Sequence, residues 1–263
     1  MTSEKQAEKT RPTNASSVEK AQYHEEANVQ PKYELVIFDW DGTLMNSEAR
    51  IVSAIQHAAE DVGLPVLSDE QSKQIIGLSL EHAILGLYPD ATPQQVEAMA
   101  KAYTQHFLED SEVPMHPFEG AEDLLKALKN QGAKLAIATG KSRRGLDQVL
   151  REVGFGPYFD ITRTPVEAAS KPDPLMLHQI LEALDVPLER AVMVGDTEFD
   201  LLMAQKAGMD SVAMTHGVHA LEHLKQFQPV VYADDLTELK NWLLPRVASS
   251  KAKVEVQTPS SQK

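Results

Sequence analysis

Five short apolar runs, at 34–38, 134–138, 191–194, 211–214 and 229–232, punctuate this chain, and helical patterns fill most of the space between them. Near-continuous apolar runs of this length suit strands covered on both faces, as in a parallel sheet. Segments 120–130, 143–153, 174–184 and 198–207 repeat apolar residues at three- and four-residue spacing, as in Leu124, Leu125 and Leu128 or Leu146, Val149 and Leu150. Such alternation predicts an α/β fold, a doubly wound and mostly parallel sheet.

Residues 46–117 break the alternation. They hold no convincing strand and several helix starts. Ser68-Asp69-Glu70-Gln71 reads as a capping box, and Thr92-Pro93-Gln94-Gln95 supplies an N-cap, a proline at the first helical position and a glutamine at the third. This stretch is expected to form a separate helical domain over the carboxyl ends of the strands, where open α/β sheets bind ligands. Its hinges are expected near Asn46 and at His116-Pro117. Residues 33–45 and 118–247 then make the core. The flanks 1–32 and 248–263 are polar, lack apolar periodicity and are expected to be disordered arms.

Of the 263 residues, 42% are hydrophobic and 24% charged, as in ordinary globular proteins. No apolar run approaches the ~18 residues of a membrane span, and the first residues lack the apolar centre of a signal peptide. The absence of cysteine excludes disulfides, thiolate catalysis and thiolate metal sites. A cytoplasmic location is therefore expected. Residues 1–32 balance five lysines and arginines against five acids, and residues 248–263 hold three lysines and one glutamate. Against a total of −14, the body between them must carry −16. Such a body repels phosphate backbones, so no nucleic-acid partner is expected. An anionic substrate would depend on local cations. Nothing in the sequence sets an oligomeric state.

Four polar signals stand out: Asp39-Trp40-Asp41-Gly42-Thr43, Thr139-Gly140 and Gly195-Asp196-Thr197-Glu198-Phe199-Asp200 each follow an apolar run, and Lys171-Pro172 precedes a helix and follows the short run at 161–163. Right-handed crossovers bring the carboxyl ends of parallel strands to one edge of the sheet, so these residues are expected to converge. Carboxylates beside a lysine, with oxygen ligands and no histidine or cysteine, favour a hard cation such as Mg²⁺. Mg²⁺ suits phosphate substrates. Unaided, each phosphate charge would repel a carboxylate at ~4 Å by roughly 4 kcal/mol at an effective dielectric of ~20. A bridging cation and Lys171 would reverse that sign.

In order and spacing, Asp39-x-Asp41-Gly42-Thr43, Thr139, Lys171 and Gly195-Asp196-x-x-x-Asp200 resemble the four motifs of the haloacid dehalogenase-like hydrolases. The helical insert between the first two is similar to the cap of their phosphoglycolate-phosphatase-like branch. The resemblance spans about residues 33–245. It implies an aspartyl-phosphate mechanism with Asp39 as nucleophile and Asp41 as general acid, then base. It further implies Mg²⁺ held by Asp39, by the backbone carbonyl of Asp41 and by the Asp196 side chain. Thr139 and the Gly140 amide would hold phosphate oxygens, and Lys171 would neutralise phosphate and orient Asp39. Gly42 would turn the chain, Thr43 would brace the loop, and Asp200 would act from nearby, close to Gly195. The implied substrate is a small phosphorylated metabolite, with phosphoglycolate as first candidate. Asn46 stands where the family often has aspartate, a position without catalytic role there. Trp40 is expected to point away from both carboxylates.

Other readings are weaker. Asp39 and Asp41 could be solvated strand-end acids, Lys171 part of a helix entry capped by Asp173, and Asp200 a first-turn acid favoured by the helix dipole. Dehalogenases lack the second aspartate of the first motif. A phosphonate hydrolase would need a lysine early in the cap, and none occurs from Met45 to Ser72. A sugar phosphomutase usually offers a cap arginine where this chain reads Ile76-Gly77-Leu78-Ser79-Leu80-Glu81. A pyrophosphatase of the same superfamily remains an alternative, as does a non-enzymatic phospho-acceptor or binding module. Gly140-Lys141-Ser142 imitates a P-loop end, but Leu135 occupies the place of its first glycine. His216, His219 and His223 have helical spacing, yet a solvated or capping role outranks zinc for want of a fourth ligand. Lys141, Arg143 and Arg144 open a helix and are expected on a solvated face.

Overall fold

The computed structural model describes residues 30–248. The expected terminal arms lie almost wholly outside these residues. At their inner edges, the backbone N–H of Lys32 donates to the Arg246 carbonyl at 2.7 Å and that of Ala248 donates to the Tyr33 carbonyl at 2.8 Å.

Six parallel strands form the sheet, together with two short antiparallel ones outside it. In chain order they are β1 (Leu35–Phe38), β2 (Met45–Asn46), β3 (His116–Pro117), β4 (Lys134–Ala138), β5 (Ile161–Arg163), β6 (Ala191–Gly195), β7 (Asp210–Met214) and β8 (Val231–Ala233). The main sheet runs β5-β4-β1-β6-β7-β8, and every pairing in it is parallel. Helices are α1 (Glu48–Val62), α2 (Asp69–Ser72), α3 (Leu80–Leu87), α4 (Pro93–Gln105), α5 (Ala121–Gln131), α6 (Arg143–Val153), α7 (Leu175–Leu184), α8 (Glu198–Ala207), α9 (Leu221–Leu224) and α10 (Leu236–Leu243). None is long and apolar enough to cross a membrane.

The two-residue period of the strands explains the double layer. Val36 and Phe38 of β1 pack with Leu124, Leu128, Leu146 and Leu239 on one face, while Leu35 and Ile37 pack with Met176, Ile180 and Met203 on the other. All four β1 residues are fully buried. Trp40 lies in the first of these layers, edge-on to Phe155 with centroids 6.4 Å apart. That places it away from the acids that flank it in sequence.

Two strand readings need correction. β5 is a sixth strand of the sheet, at its edge and only half-buried, with Arg163 at its end. A three-residue strand wet on one side leaves little apolar pattern. The last strand starts at Val231 rather than 229, because Pro229 has no N–H to give a ladder and Gln228 before it is left-handed, φ 52°. The insert also contains strand at its two ends: β2 and β3 pair Met45 with Pro117 and Asn46 with His116. Two residues carry no readable period.

Within the insert, both capping boxes form. Ser68 and Gln71 close one at α2, Thr92 and Gln95 the other at α4. A π-helical turn, His106–Asp110, extends α4. These helices bury their own apolar cluster, including Ile51, Ile55, Ile84, Met99 and Phe107.

Candidate active site

β1 lies between β4 and β6, and the chain leaves it to one side through β4 and β5 and to the other through β6, β7 and β8. Ligand crevices of doubly wound sheets form at such a reversal. Asp39, Thr139 and Asp196 each follow one of these three adjacent strands. Asp39 N–H still donates to the Val194 carbonyl at 2.9 Å, so its backbone continues the ladder and its carboxylate emerges at the edge.

Lys171 comes from the loop between β5 and α7. Its Nζ stands 2.7 Å from Asp39 Oδ1 and 2.6 Å from Asp200 Oδ1, and all three side chains are buried. The second Asp200 oxygen accepts from the Thr197 N–H (3.1 Å) and hydroxyl (2.7 Å) at the start of α8. Asp200 is thus both the first-turn cap and the lysine's second anchor. Asp196 accepts from Thr43 Oγ1 (2.7 Å) and from the Val218 N–H (2.9 Å). Carboxylate oxygens of Asp39, Asp196 and Asp200 all lie within 4.8 Å of one another.

Close packing fixes three glycines here, Gly42, Gly195 and, against the Asp196 side chain, Gly217. Gly42 is left-handed at φ 86°, and a Cβ on it would strike the Asp196 carboxylate. A Cβ on Gly195 would strike the Asp200 side chain.

Burial dominates the electrostatics. It pushes Asp39 up to about 7, against the pull of Lys171 and with the added repulsion of Asp200 and Asp41. Asp196 is raised well above the usual carboxylate range by burial, then by Asp200 and Asp39. Burial alone would lower Lys171, but Asp200 and Asp39 outweigh it and raise it. Asp39 and Asp196, buried and facing a single ammonium, hold protons more tightly than free carboxylates unless another cation replaces them. Asp39 Oδ2 is buried with no hydrogen-bond partner among the described residues. An orphaned oxygen inside an all-oxygen acidic cluster is what a hard divalent cation fits.

Asp41 stands apart from that group. Its Oδ1 accepts from Ser47 Oγ at 2.7 Å, and Lys141 Nζ lies 3.2 and 3.1 Å from its two oxygens. Lys141 is therefore not on a solvated face. Its side chain is 6% exposed and its Nζ sits 4.0 Å from the centroid of the Phe107 ring. The sequence signal was its position two residues after Thr139, in the loop that leaves β4. Its burial, however, depends on Phe107, 34 residues upstream in the insert. Ser47 gave no signal at all. Arg143 pairs with Glu167 (3.0 Å) and Arg144 with Glu109 (2.7 Å).

Thr139 is buried, and its Oγ1 accepts from the Lys141 N–H at 3.2 Å. Gly140 meets the insert directly: a Cβ there would run into the carbonyls of Gly77 and Leu78. The next residue of that loop, Ser79, donates its N–H to Ser170 Oγ at 3.0 Å. Beneath the loop lies a cleft walled by Asp41, Thr139, Gly140 and Lys141 on one side and helices of the insert on the other.

The three histidines serve packing. His216 stacks on Phe118 at 4.1 Å and donates from Nε2 to the Thr43 carbonyl at 3.2 Å. His219 Nδ1 accepts from the Glu198 N–H at 3.0 Å, capping α8, while His223 pairs with the Glu198 carboxylate at 3.1 Å. Although Glu198, His219 and His223 approach closely enough for a metal, the His219 nitrogen nearest α8 is already committed.

A family model described as haloacid dehalogenase-like hydrolase matches residues 36–214. Among curated relatives, the "Probable phosphatase IndB" of Dickeya dadantii is 36% identical over 211 residues, covering 78% of this chain and 91% of that protein. A phosphoglycolate phosphatase of Vibrio cholerae is 29% identical over 214 residues, covering 78% of this chain and 94% of that protein. Among solved structures, a hydrolase from Pseudomonas syringae shares the fold with a TM-score of 0.74 at 24% identity, covering 81% of this chain and 98% of its own.

Proposed function

Since this chain belongs to the haloacid dehalogenase-like hydrolases and is a phosphatase of the phosphoglycolate-phosphatase-like branch, we propose that it hydrolyses small phosphate monoesters with Mg²⁺ through a phosphorylated Asp39. The observation that carries this reading is the Asp39 carboxylate: one oxygen is paired with Lys171, the other is buried without a partner among the described residues. A nucleophilic oxygen must be held and yet left free to attack, and this arrangement does both.

Asp39 Oδ2 attacks phosphorus, and the bond from phosphorus to the alcohol oxygen breaks. The Asp41 carboxyl gives its proton to the departing alkoxide. In the second half, the Asp41 carboxylate takes a proton from water as the water oxygen attacks phosphorus. The bond to Asp39 then breaks and inorganic phosphate leaves. Lys171 holds Asp39 and offers charge to the phosphate oxygens, and Thr139 and the Gly140 N–H bind those oxygens from the β4 side. Asp39, Asp196 and the backbone carbonyl of Asp41 would hold Mg²⁺, with Asp200 supporting from Lys171. When bound, Mg²⁺ supplies positive charge that screens the phosphate from the carboxylates. The insert is the cap: its movement about the β2–β3 pair admits substrate and excludes water. The setting is cytosolic, and phosphoglycolate is the reference substrate suggested by the relatives.

The test is release of phosphate from p-nitrophenyl phosphate by wild type and Asp39→Asn, with Mg²⁺ and with chelator. Activity only in wild type with metal is expected. Equal rates for the two proteins would rule out Asp39 as the nucleophile.

A further inference from the structure

The cleft under the cap loop is where the alcohol half of the ester must lie, since Thr139 and Gly140 form its floor and Asp41 its proton donor. That wall is almost wholly apolar. Ile51, Ile55, Ile75, Leu80, Tyr103 and Phe107 face it from the cap. Tyr103 and Phe107 stack with centroids 5.6 Å apart and planes 22° apart, giving a broad aromatic surface.

Charge is the discriminating feature. Among the described residues lining the cleft, Lys141 is the sole cation, and it is spent on Asp41 and the face of Phe107. Neither nearby arginine lines the cleft: Arg50 lies 5.9 Å from the Phe107 ring centroid with its Nε donating to the Val113 carbonyl at 2.7 Å, and Arg144 pairs with Glu109. An alcohol bearing a carboxylate or a second phosphate would meet an apolar wall with no unpaired cation among its described lining residues, inside a body of net −16. Desolvating such a charge without a partner is strongly unfavourable. Tyr103 and Thr104 are the polar residues of that wall, and Thr104 Oγ1 donates back to the Ala100 carbonyl at 2.8 Å. The Tyr103 hydroxyl has no hydrogen-bond partner within the described residues, and burial together with Asp41 raises its pKa, so it is a neutral donor at ordinary pH.

Resting on the phosphatase reading above, we propose that the substrates are phosphate monoesters of uncharged, largely apolar alcohols, aromatic ones included, with at most a neutral polar group for Tyr103. Anionic alcohols such as glycolate are disfavoured. Selection is by the apolar surface buried on the cap side and by refusal of a second negative charge.

The experiment compares kcat/KM for 2-phenylethyl phosphate, hexyl phosphate, phosphoglycolate and pyrophosphate, with p-nitrophenyl phosphate as a control for activity. The two apolar esters are alkyl phosphates like phosphoglycolate, so the contrast reports binding of the alcohol rather than an activated aryl leaving group. We expect 2-phenylethyl phosphate to exceed phosphoglycolate by about tenfold or more. Leu80→Lys, which puts a cation on the cleft wall, should lower that ratio severalfold. Simple damage to the fold would instead depress both rates together and leave the ratio standing. Turnover of the control with phosphoglycolate or pyrophosphate favoured overturns this inference and leaves the phosphatase reading intact. No turnover of any ester with Mg²⁺ overturns the phosphatase reading, and this inference with it.

Discussion

The edge of the sheet and the cleft beneath the cap lie side by side, share Asp41 and Lys141, and are built on opposite principles. At the sheet edge, Asp39, Lys171, Asp196 and Asp200 are buried charges held by one another and by Thr43, Thr197 and Val218. In the cleft, charge is nearly absent and shape comes from isoleucine, leucine and two stacked aromatic rings. The first region is costly to fold and can act only on a group common to every substrate, the phosphate. The second is cheap to fold and easily altered without touching the chemistry, which is why the proposed selectivity is placed there. A single phosphatase framework can therefore serve different alcohols.

Substitutions at the two regions should separate accordingly. The largest effect is expected from Asp39→Asn, with kcat down by ~10³-fold or more, as befits loss of a nucleophile. Because the native charge is disfavoured by burial, thermal midpoint should hold or rise; a collapse of the fold would show that Asp39 is structural. Next is Gly140→Ala, whose added methyl group pushes the Gly77–Leu78 carbonyls off the core. Misplacing the cap loop should cost about 10²-fold in kcat/KM with little loss of stability, since sheet contacts are untouched. Unchanged activity would mean the loop does not act in this position.

Lys141→Met should have a smaller effect on turnover, about tenfold, and should also lower stability, because Asp41 would be left buried beside Ser47 without its cation. Stability readings with pH address the sheet edge alone. Without metal, Asp39 keeps its proton to about pH 7, whereas in the unfolded chain it loses it near 3.8. The folded state thus binds the extra proton between those values. This group's contribution to stability is full below the lower value and is lost as pH rises through the upper one. Mg²⁺ requires the deprotonated cluster, so the rise in thermal midpoint on adding Mg²⁺ should grow from about pH 5 to about pH 8. A rise that shrinks over that interval would remove Asp39 from the metal's ligands. The smallest effect belongs to His223→Gln, outside both regions. Its pair with Glu198 is partly exposed and should contribute under about 1 kcal/mol, with activity unchanged.

The same contrast governs what could be read from the chain. Strands β1, β4, β6 and β7 are buried on both faces, so their apolar runs are continuous and their ends are marked by acids, Thr139 or glycine. Local pattern and the handedness of crossovers sufficed to bring Asp39, Asp196 and Asp200 together, and the order of the motifs added Lys171. β5 shows only as the short run at 161–163, which does not read as a buried strand because its three residues are half-buried at the sheet edge. The cleft was illegible for a different reason. Ile51 and Ile55 follow the four-residue spacing of any helix that packs a core, and sequence period does not distinguish a side chain facing a core from one facing a cavity. Lys141 shows the limit most clearly. One residue past the second motif it looks like a solvated helix start, and only the Phe107 ring folding over from the cap buries it against Asp41.

The most direct measurement is an acid quench during turnover of an apolar phosphate ester with Mg²⁺, followed by peptide mass analysis. Phosphate should be found attached to Asp39 in the wild-type protein and missing from Asp39→Asn. Steady release of inorganic phosphate with Asp39 never labelled, or with the label on another residue, would refute the covalent route through Asp39.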